Sequence, residues 1–313
     1  MAFRKEHCTA ARTGTPLPQA SPEFAHEEMR TRRGTDPISR RLFLKRASLA
    51  AVGLVTGYPV LVERYLVGIN SYRIPVPHLP PAFAGLRIVQ LTDLHYGLLV
   101  PLALIEDVVE RANAAAPDLI VCTGDYVHAR ETAEEIDAVW PLLGRLRAPL
   151  GVYSVLGNHD HWADAERSRY WLQRTGQDLG PGAVCLERSG ERLWLAGAGD
   201  LWEDHRNLDG VLAEVPDGEC RIVAAHNPDT ADMPRTRRVD LMLCGHTHGG
   251  QVALPLLGAP ILPVKNKDYS SGLKHSPSGC PVFISRGIGW AIAPVRFNCA
   301  PEIAVLELVP QNI

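Results

Sequence analysis

The chain has 313 residues and a mass of 34.2 kDa, enough for one large α/β domain with appendages. Hydrophobic residues at 46% and charged residues at 21% exclude a disordered chain, a collagen-like repeat and a polytopic membrane protein. The net charge of -3 hides an asymmetry: residues 1–46 carry ten Lys/Arg against five Asp/Glu, leaving 22 basic against 30 acidic residues downstream. An acidic body has no general attraction for nucleic acid, so an anionic substrate needs a local positive site, which metal ions would supply. Seven Cys, odd in number and without a Cys-x-x-Cys, indicate neither a disulfide framework nor a thiolate zinc site.

In chain order, residues 1–38 are rich in Pro, Arg and Glu with little apolar periodicity and read as a disordered extension. Met29 is an alternative start. Residues 39–64 open with Ser39-Arg40-Arg41-Leu42-Phe43-Leu44-Lys45, which closely resembles a twin-arginine export signal. The uncharged run Ala47 to Val62 follows. Its 16 residues would rise about 24 Å as a helix, short of a hydrocarbon core of roughly 30 Å. It reads as a signal h-region or a membrane anchor, and no clean Ala-x-Ala site decides between them. Residues 65–85, with Pro75, Pro77, Pro80 and Pro81, read as an extended linker.

The folded body is expected over 86–313. Apolar runs at Leu86 to Leu91, Leu119 to Thr123, Val152 to Leu156, Arg221 to Ala225 and Val239 to Cys244 read as buried strands, with helices over Leu102 to Ala115 and Thr132 to Leu146. Val184 to Leu186, Leu193 to Ala196, Gln251 to Leu254, Val282 to Ser285 and Ile303 to Leu308 sit among Gly and Pro without long helices, as in mixed or antiparallel sheet. The fold class is α/β, a two-sheet β-sandwich flanked by helices in four layers.

Polar clusters follow five of these runs: Asp93-Leu94-His95, Gly124-Asp125, Gly157-Asn158-His159-Asp160, His226 and Gly245-His246-Thr247-His248. Open α/β sheets form their ligand crevices at such strand ends. Carboxylate and imidazole suit borderline divalent ions, and a carboxylate such as Asp125 has lone pairs enough to bridge two. His246 and His248 would point the same way in a strand, whereas a tight loop could hand one to each metal. Each block alone has a plainer reading: D-x-H as a helix cap, Gly-Asp as a turn, Asp160 as the cap of a following helix, His226 as a loop histidine. It is their order at successive strand ends that makes coincidence improbable.

D-x-H, G-D, G-N-H-D, H and G-H-x-H in this order resembles the calcineurin-like metallophosphoesterases. All five blocks are intact, and the likeness runs from about Leu86 to the C-terminus. The leader, G-H-T-H-G-G-Q and the late S-R-G-I-G are similar to a bacterial exported branch. The resemblance implies that Asp93, His95, Asp125 and His248 hold one metal and that Asp125, Asn158, His226 and His246 hold the other. It implies that His159 stands beside the phosphoryl group, stabilising charge or protonating the leaving oxygen. The two divalent ions, Mn, Fe or Zn, would supply a bridging hydroxide as nucleophile.

The expected activity is thus a metal-dependent phosphodiesterase at the envelope. It would be exported by the twin-arginine translocase to the periplasm or the outer face of the membrane, with no nucleic-acid partner. Tyr126-Val127-His128 replaces the D-R-G of protein phosphatases, which argues against phosphoproteins and for a phosphoester small molecule or lipid. Alternatives are a pyrophosphatase on a nucleotide-linked lipid such as UDP-diacylglucosamine, and a non-catalytic envelope metal-binding protein. Arg286 and Trp290 are candidates for substrate contact. Trp162, Tyr170, Trp171, Trp194 and Trp202 read as core, His128 and His161 as supporting or surface residues, and Cys122 and Cys244 as core.

Overall fold

A computed structural model describes residues 39–97, 99–204 and 208–311. The extension expected over 1–38 lies outside the described residues. The chain divides into two compact units, one up to Ala50 and one from Ala51. In the first, Ser39 caps α1 (Arg40–Leu61), its Oγ accepting the Leu42 N–H at 3.2 Å. Leu42, Phe43, Leu44 and Leu49 of this helix are exposed. Among the described residues no helix is long and apolar enough to cross a membrane.

In the second unit, residues 65–85 depart from the expected linker. They supply β1 (Gly68–Val76), which runs parallel to β11 (Glu302–Pro310), Gly68 opposite Glu302 and Val76 opposite Pro310. The prolines are compatible because β1 is an edge strand with Pro75 near its end. Ile74 and Val76 are buried beneath it. With β2 (Arg87–Leu91), β3 (Leu119–Cys122) and β4 (Val152–Ser154) these strands make a five-stranded sheet of order β1-β11-β2-β3-β4. Only the β11–β2 pair is antiparallel.

The second sheet comprises β5 (Ala183–Arg188), β6 (Glu191–Gly197), β7 (Cys220–Ala224), β8 (Leu241–Cys244), β9 (Gly272–His275) and β10 (Pro281–Ile284). Its order is β5-β6-β7-β8-β10-β9, parallel from β6 to β10 with an antiparallel strand at each edge. Gln251 to Leu254, expected as a strand, forms only isolated bridges to Phe297 and Gly258. The helices are α2 (Leu102–Ala114), α3 (Ala133–Leu143), α4 (Asn158–Thr175) and the short α5 (Leu208–Leu212).

Side-chain alternation builds the layers. Val89, Leu91, Ile120 and Cys122 point toward Ile105, Val109, Ile136 and Trp140 of α2 and α3. Their neighbours Ile88, Leu119 and Val121 turn the other way and pack against Leu195, Ile222 and Leu243 of the second sheet. On its far face Val223, Met242 and Ile284 meet Leu208 and Leu212 of α5. The result is helix, sheet, sheet and helix-with-loops, the expected four-layer sandwich. Gln90 stitches the sheets at their carboxyl ends, its Nε2 donating to Thr123 Oγ1 at 3.1 Å and to the Cys244 carbonyl at 2.8 Å.

Candidate metal centre

The loops leaving β2, β3, β4, β7 and β8 bring the polar clusters to one end of the sandwich. Asp93, His95, Asp125, His246 and His248 all have φ between 47° and 70°. Left-handed backbone at a non-glycine residue costs about 1 kcal/mol or more, so five such residues in one site mark strain held by the surrounding fold. The loops lock one another: Asp93 N–H bonds the Gly124 carbonyl at 2.9 Å and His95 N–H the Asp125 carbonyl at 3.0 Å. Gly157 and Gly245 allow this closeness, since a Cβ at the first would overlap Asp125 Oδ1 and at the second Asp93 Oδ2.

Asp93, His95 and His248 form one group of ligand atoms within 4.8 Å of one another, and Asp125, His226 and His246 a second. In the first, His95 Nε2 faces His248 Nε2 at 3.0 Å, and Asp93 Oδ1 lies 3.2 Å from His248 Nε2. In the second, Asp125 Oδ2 is 3.2 Å from His226 Nε2, and His246 Nδ1 is 3.1 Å from that same nitrogen. His226 Nδ1 donates to the Thr123 carbonyl at 2.7 Å, which turns Nε2 inward. Asn158, the first residue of α4, has a buried Oδ1 without a hydrogen-bond partner. Inward-facing ring nitrogens, carboxylate oxygens and an orphaned amide oxygen are a donor set that fits divalent cations.

Electrostatics agree with that fit. Burial pushes His95 and His246 down to about 3, leaving both rings neutral and able to ligate. Burial also opposes charge on His226, but the Asp125 carboxylate outweighs it and pushes the ring up to about 10. Burial would raise Asp125 and Asp93; His226 holds the first and His248 the second well below the usual carboxylate range. A proton on His226 thus balances Asp125, and a cation between them would take its place.

The clusters open into a cavity of about 560 Å³ that His95, Asp125, Asn158, His246 and His248 line. His159 also lines it, its Nδ1 donating to the His128 carbonyl at 2.8 Å and its ring 4.6 Å from that of His95. Arg286 is placed elsewhere: its Nη2 pairs with Glu302 Oε2 at 2.7 Å, and it is not among the cavity-lining residues described. A buried carboxylate claims it. Trp290 is fully buried against Tyr65.

Several lining residues had no clear sequence signal. His128 belongs to the cavity and not the surface, its ring 5.1 Å from that of His159. Trp162 and Trp202 line it instead of the core, with Arg130 over the Trp162 ring at 4.2 Å. His161 lines a different cavity, with Asp200 and Arg169. The fully buried Arg296 donates to the carbonyls of Gly289, Cys299 and His248, bracing the second histidine of G-H-T-H. The six described cysteines are free thiols, and Cys122 and Cys244 are core.

A two-sheet sandwich carrying Asp/His clusters at its strand ends defines a metallophosphoesterase. The profile of the Calcineurin-like phosphoesterase family matches residues 86–250, and the chain belongs to this family of metal-dependent phosphoester hydrolases. It is 33% identical over 285 residues to the uncharacterized metallophosphoesterase YkuE of Bacillus subtilis (strain 168), covering 88% of this chain and 99% of that one. It is equally 33% identical over 280 residues to the phosphodiesterase YaeI of Escherichia coli (strain K12), covering 87% and 100%. Among solved structures, TT1561 of Thermus thermophilus aligns with a TM-score of 0.43 at 12% identity, over 64% of this chain and 89% of that one.

Proposed function

We propose that this protein is a phosphodiesterase that works with two divalent cations, of Mn, Fe or Zn, at the cell envelope. The observation that carries the reading is the position of Asp125, whose Oδ2 lies 3.5 Å from His95 Nε2 in one cluster and 3.2 Å from His226 Nε2 in the other. One carboxylate then serves both sites. Asp93, His95, Asp125 and His248 would hold one ion, and Asp125, Asn158, His226 and His246 the other. Bound there, paired cations lower the pKa of water and absorb charge on a phosphoester.

The chain's own residues supply the rest. With Nδ1–H committed to the His128 carbonyl, His159 keeps Nε2 to carry a proton to the leaving oxygen. No metal site needs a residue in that role, which favours an enzyme over a metal-binding scaffold. Diester preference is supported by charge and room. Arg286 is engaged by Glu302, Arg296 lies behind His248, and Arg130 stacks on Trp162. Arg130 is thus the one guanidinium among the described cavity-lining residues, a single partner for a dianionic monoester, while the cavity has space for a second ester substituent. The name of the E. coli relative points the same way. Envelope action rests on the Ser39 to Lys45 segment.

The test is kcat/KM of the metal-reconstituted protein on matched aryl monoester and diester. Faster diester hydrolysis is expected, and a clear monoester preference would overturn the assignment.

A further inference from the structure

The cavity has two unlike walls. One is aromatic, with Trp162 and Trp202 stacked at 6.3 Å between ring centroids. The other is aliphatic and comes from residues 252–263 and 291–293, whose Val252, Ile261, Pro263 and Ile292 line the space above the clusters. These side chains carry no donor or acceptor, and several backbone groups behind them are paired. Val252 N–H bonds the Gly250 carbonyl, Ala253 N–H the Phe297 carbonyl, and Leu254 and Gly258 exchange N–H···O bonds at 2.8 and 2.9 Å. Gln251, next to the G-H-T-H-G-G turn, clamps the second segment: its Oε1 accepts the Ala291 N–H at 2.5 Å and its Nε2 donates to the Ala293 carbonyl at 3.2 Å.

Apolar side chains have little with which to read a sugar or a base, since such discrimination needs polar groups aimed at the ligand. What it presents is carbon, at a cost. Ile292 is 93% exposed and Ile261 74% exposed, and Leu256 and Leu257 at the tip of the same 252–263 segment stand in water as well. Ile292 at φ 56° and Leu256 at φ 68° also occupy left-handed backbone, unfavourable for large side chains and worst for a β-branched one. Exposure and strain both work against stability, and together they mark a surface shaped for a ligand. About 560 Å³ is far more than a phosphate needs and falls in the range of larger organic ligands.

We propose that the substrate is an amphiphilic phosphodiester, whose hydrocarbon chain lies along Val252, Ile261, Pro263 and Ile292 while its phosphate reaches the Asp/His floor. This rests on the phosphodiesterase reading above and adds the chemical class of the second ester group.

The experiment compares p-nitrophenyl methyl phosphate with p-nitrophenyl decyl phosphate, kept below its micelle concentration, on the full metal-reconstituted chain. The decyl ester is expected to have a kcat/KM at least about tenfold higher. In Ile261→Asn and Ile292→Asn, both at exposed positions, the decyl-to-methyl ratio should fall toward one. Calorimetry adds a readout independent of turnover: decylphosphonate should bind at least about tenfold tighter than methylphosphonate, with a more negative heat-capacity change. Equal turnover of the two esters overturns the chain site and leaves the phosphodiesterase reading standing. A decyl preference that persists in both variants overturns the wall as its seat. Hydrolysis of neither ester overturns both readings.

Discussion

Asp160 holds Asp125 by its backbone. The Asp160 Oδ2 accepts the Asp125 N–H at 2.8 Å, while Oδ1 accepts the Tyr126 N–H at 2.8 Å and Oδ2 also takes the Gly157 N–H at 2.9 Å. One carboxylate therefore fixes both the β3 loop and the start of α4, the two segments that carry Asp125 and Asn158. Burial and the nearby Asp125 charge push Asp160 up to about 7. Both of its oxygens act as acceptors here, which an amide cannot reproduce, because one of the two positions becomes an NH₂ facing an N–H.

Asp160→Asn should accordingly weaken metal affinity by about 10–100-fold, although the residue belongs to neither ligand cluster. Metal titration of the purified variant checks this, with thermal unfolding of the metal-free protein alongside. A lower unfolding temperature with unchanged affinity would reduce Asp160 to an ordinary helix cap.

Asp125→Asn should be the most damaging of the ligand substitutions. Among the described residues only this carboxylate reaches toward histidines of both clusters, His95 at 3.5 Å and His226 at 3.2 Å. The amide keeps one acceptor oxygen and carries no charge, and its NH₂ must replace either Oδ2, which faces both histidines, or Oδ1, which accepts the His159 N–H. Loss of metal from both clusters is expected in elemental analysis. Full two-metal stoichiometry in the variant would remove the bridging role.

The chemistry-bearing blocks were legible because each strand end is a local pattern: an apolar run of four or five residues, then Gly, Asp or His. β1 was not, because nothing in its own sequence reveals β11, a partner more than two hundred residues away, and its prolines look like a linker's. Asp160 was legible as a helix cap, but its grip on Asp125 depends on how the β3 and β4 loops meet. Trp162 and Trp202 were read as core because aromatics usually are; their places depend on tertiary contacts, with Trp162 Nε1 donating to Glu203 Oε1 at 2.6 Å and the Asp200 carboxylate accepting the Trp202 backbone N–H. The aliphatic wall was invisible for a similar reason, since Gln251 joins it to a segment forty residues further on.

Glu302 ties β1 to β11 by a route sequence could not show. It is 1% exposed and accepts from Asn70 Nδ2, Tyr72 OH and Arg286 Nη2, each at 2.7 Å, and from Arg286 N–H at 2.9 Å. Glu302→Gln should cost roughly 2–4 kcal/mol in chemical denaturation, because charged acceptance is lost and Arg286 is stranded. Burial tends to raise this carboxyl, but Arg286 dominates and its pKa is lowered. A lowered folded-state pKa gives stability that is fully present above the unfolded value and lost as pH falls through the folded one. The gap between wild type and variant should therefore narrow as pH drops from about 5 toward 3. A gap independent of pH would contradict the ionised pairing.

Arg40 and Arg41, exposed at the start of α1, should matter for destination and not for activity. Changing both to Lys keeps the charge and removes the guanidinium pair that a twin-arginine translocase reads. Active protein retained in the cytoplasm on cell fractionation is the expected outcome. Delivery to the envelope at the normal level would refute the proposed export route.

His159→Ala separates catalysis from ligation. The ring touches His95 at 4.6 Å and is anchored through Nδ1 to the His128 carbonyl, so its removal leaves the oxygen and nitrogen donors of both clusters unchanged. Its backbone N–H, which donates to Asp125 Oδ1 at 2.9 Å, survives the substitution and keeps orienting that carboxylate. Metal content should thus equal that of wild type while kcat falls by about 10²–10⁴-fold, the usual range for a missing general acid. The loss should shrink for esters whose leaving group is already acidic, such as p-nitrophenol, because a good leaving group needs no proton. Alkyl and aryl leaving groups compared across wild type and variant give that measurement. An equal loss for both would assign His159 to charge stabilisation instead of proton transfer, and a loss of metal would place it among the ligands.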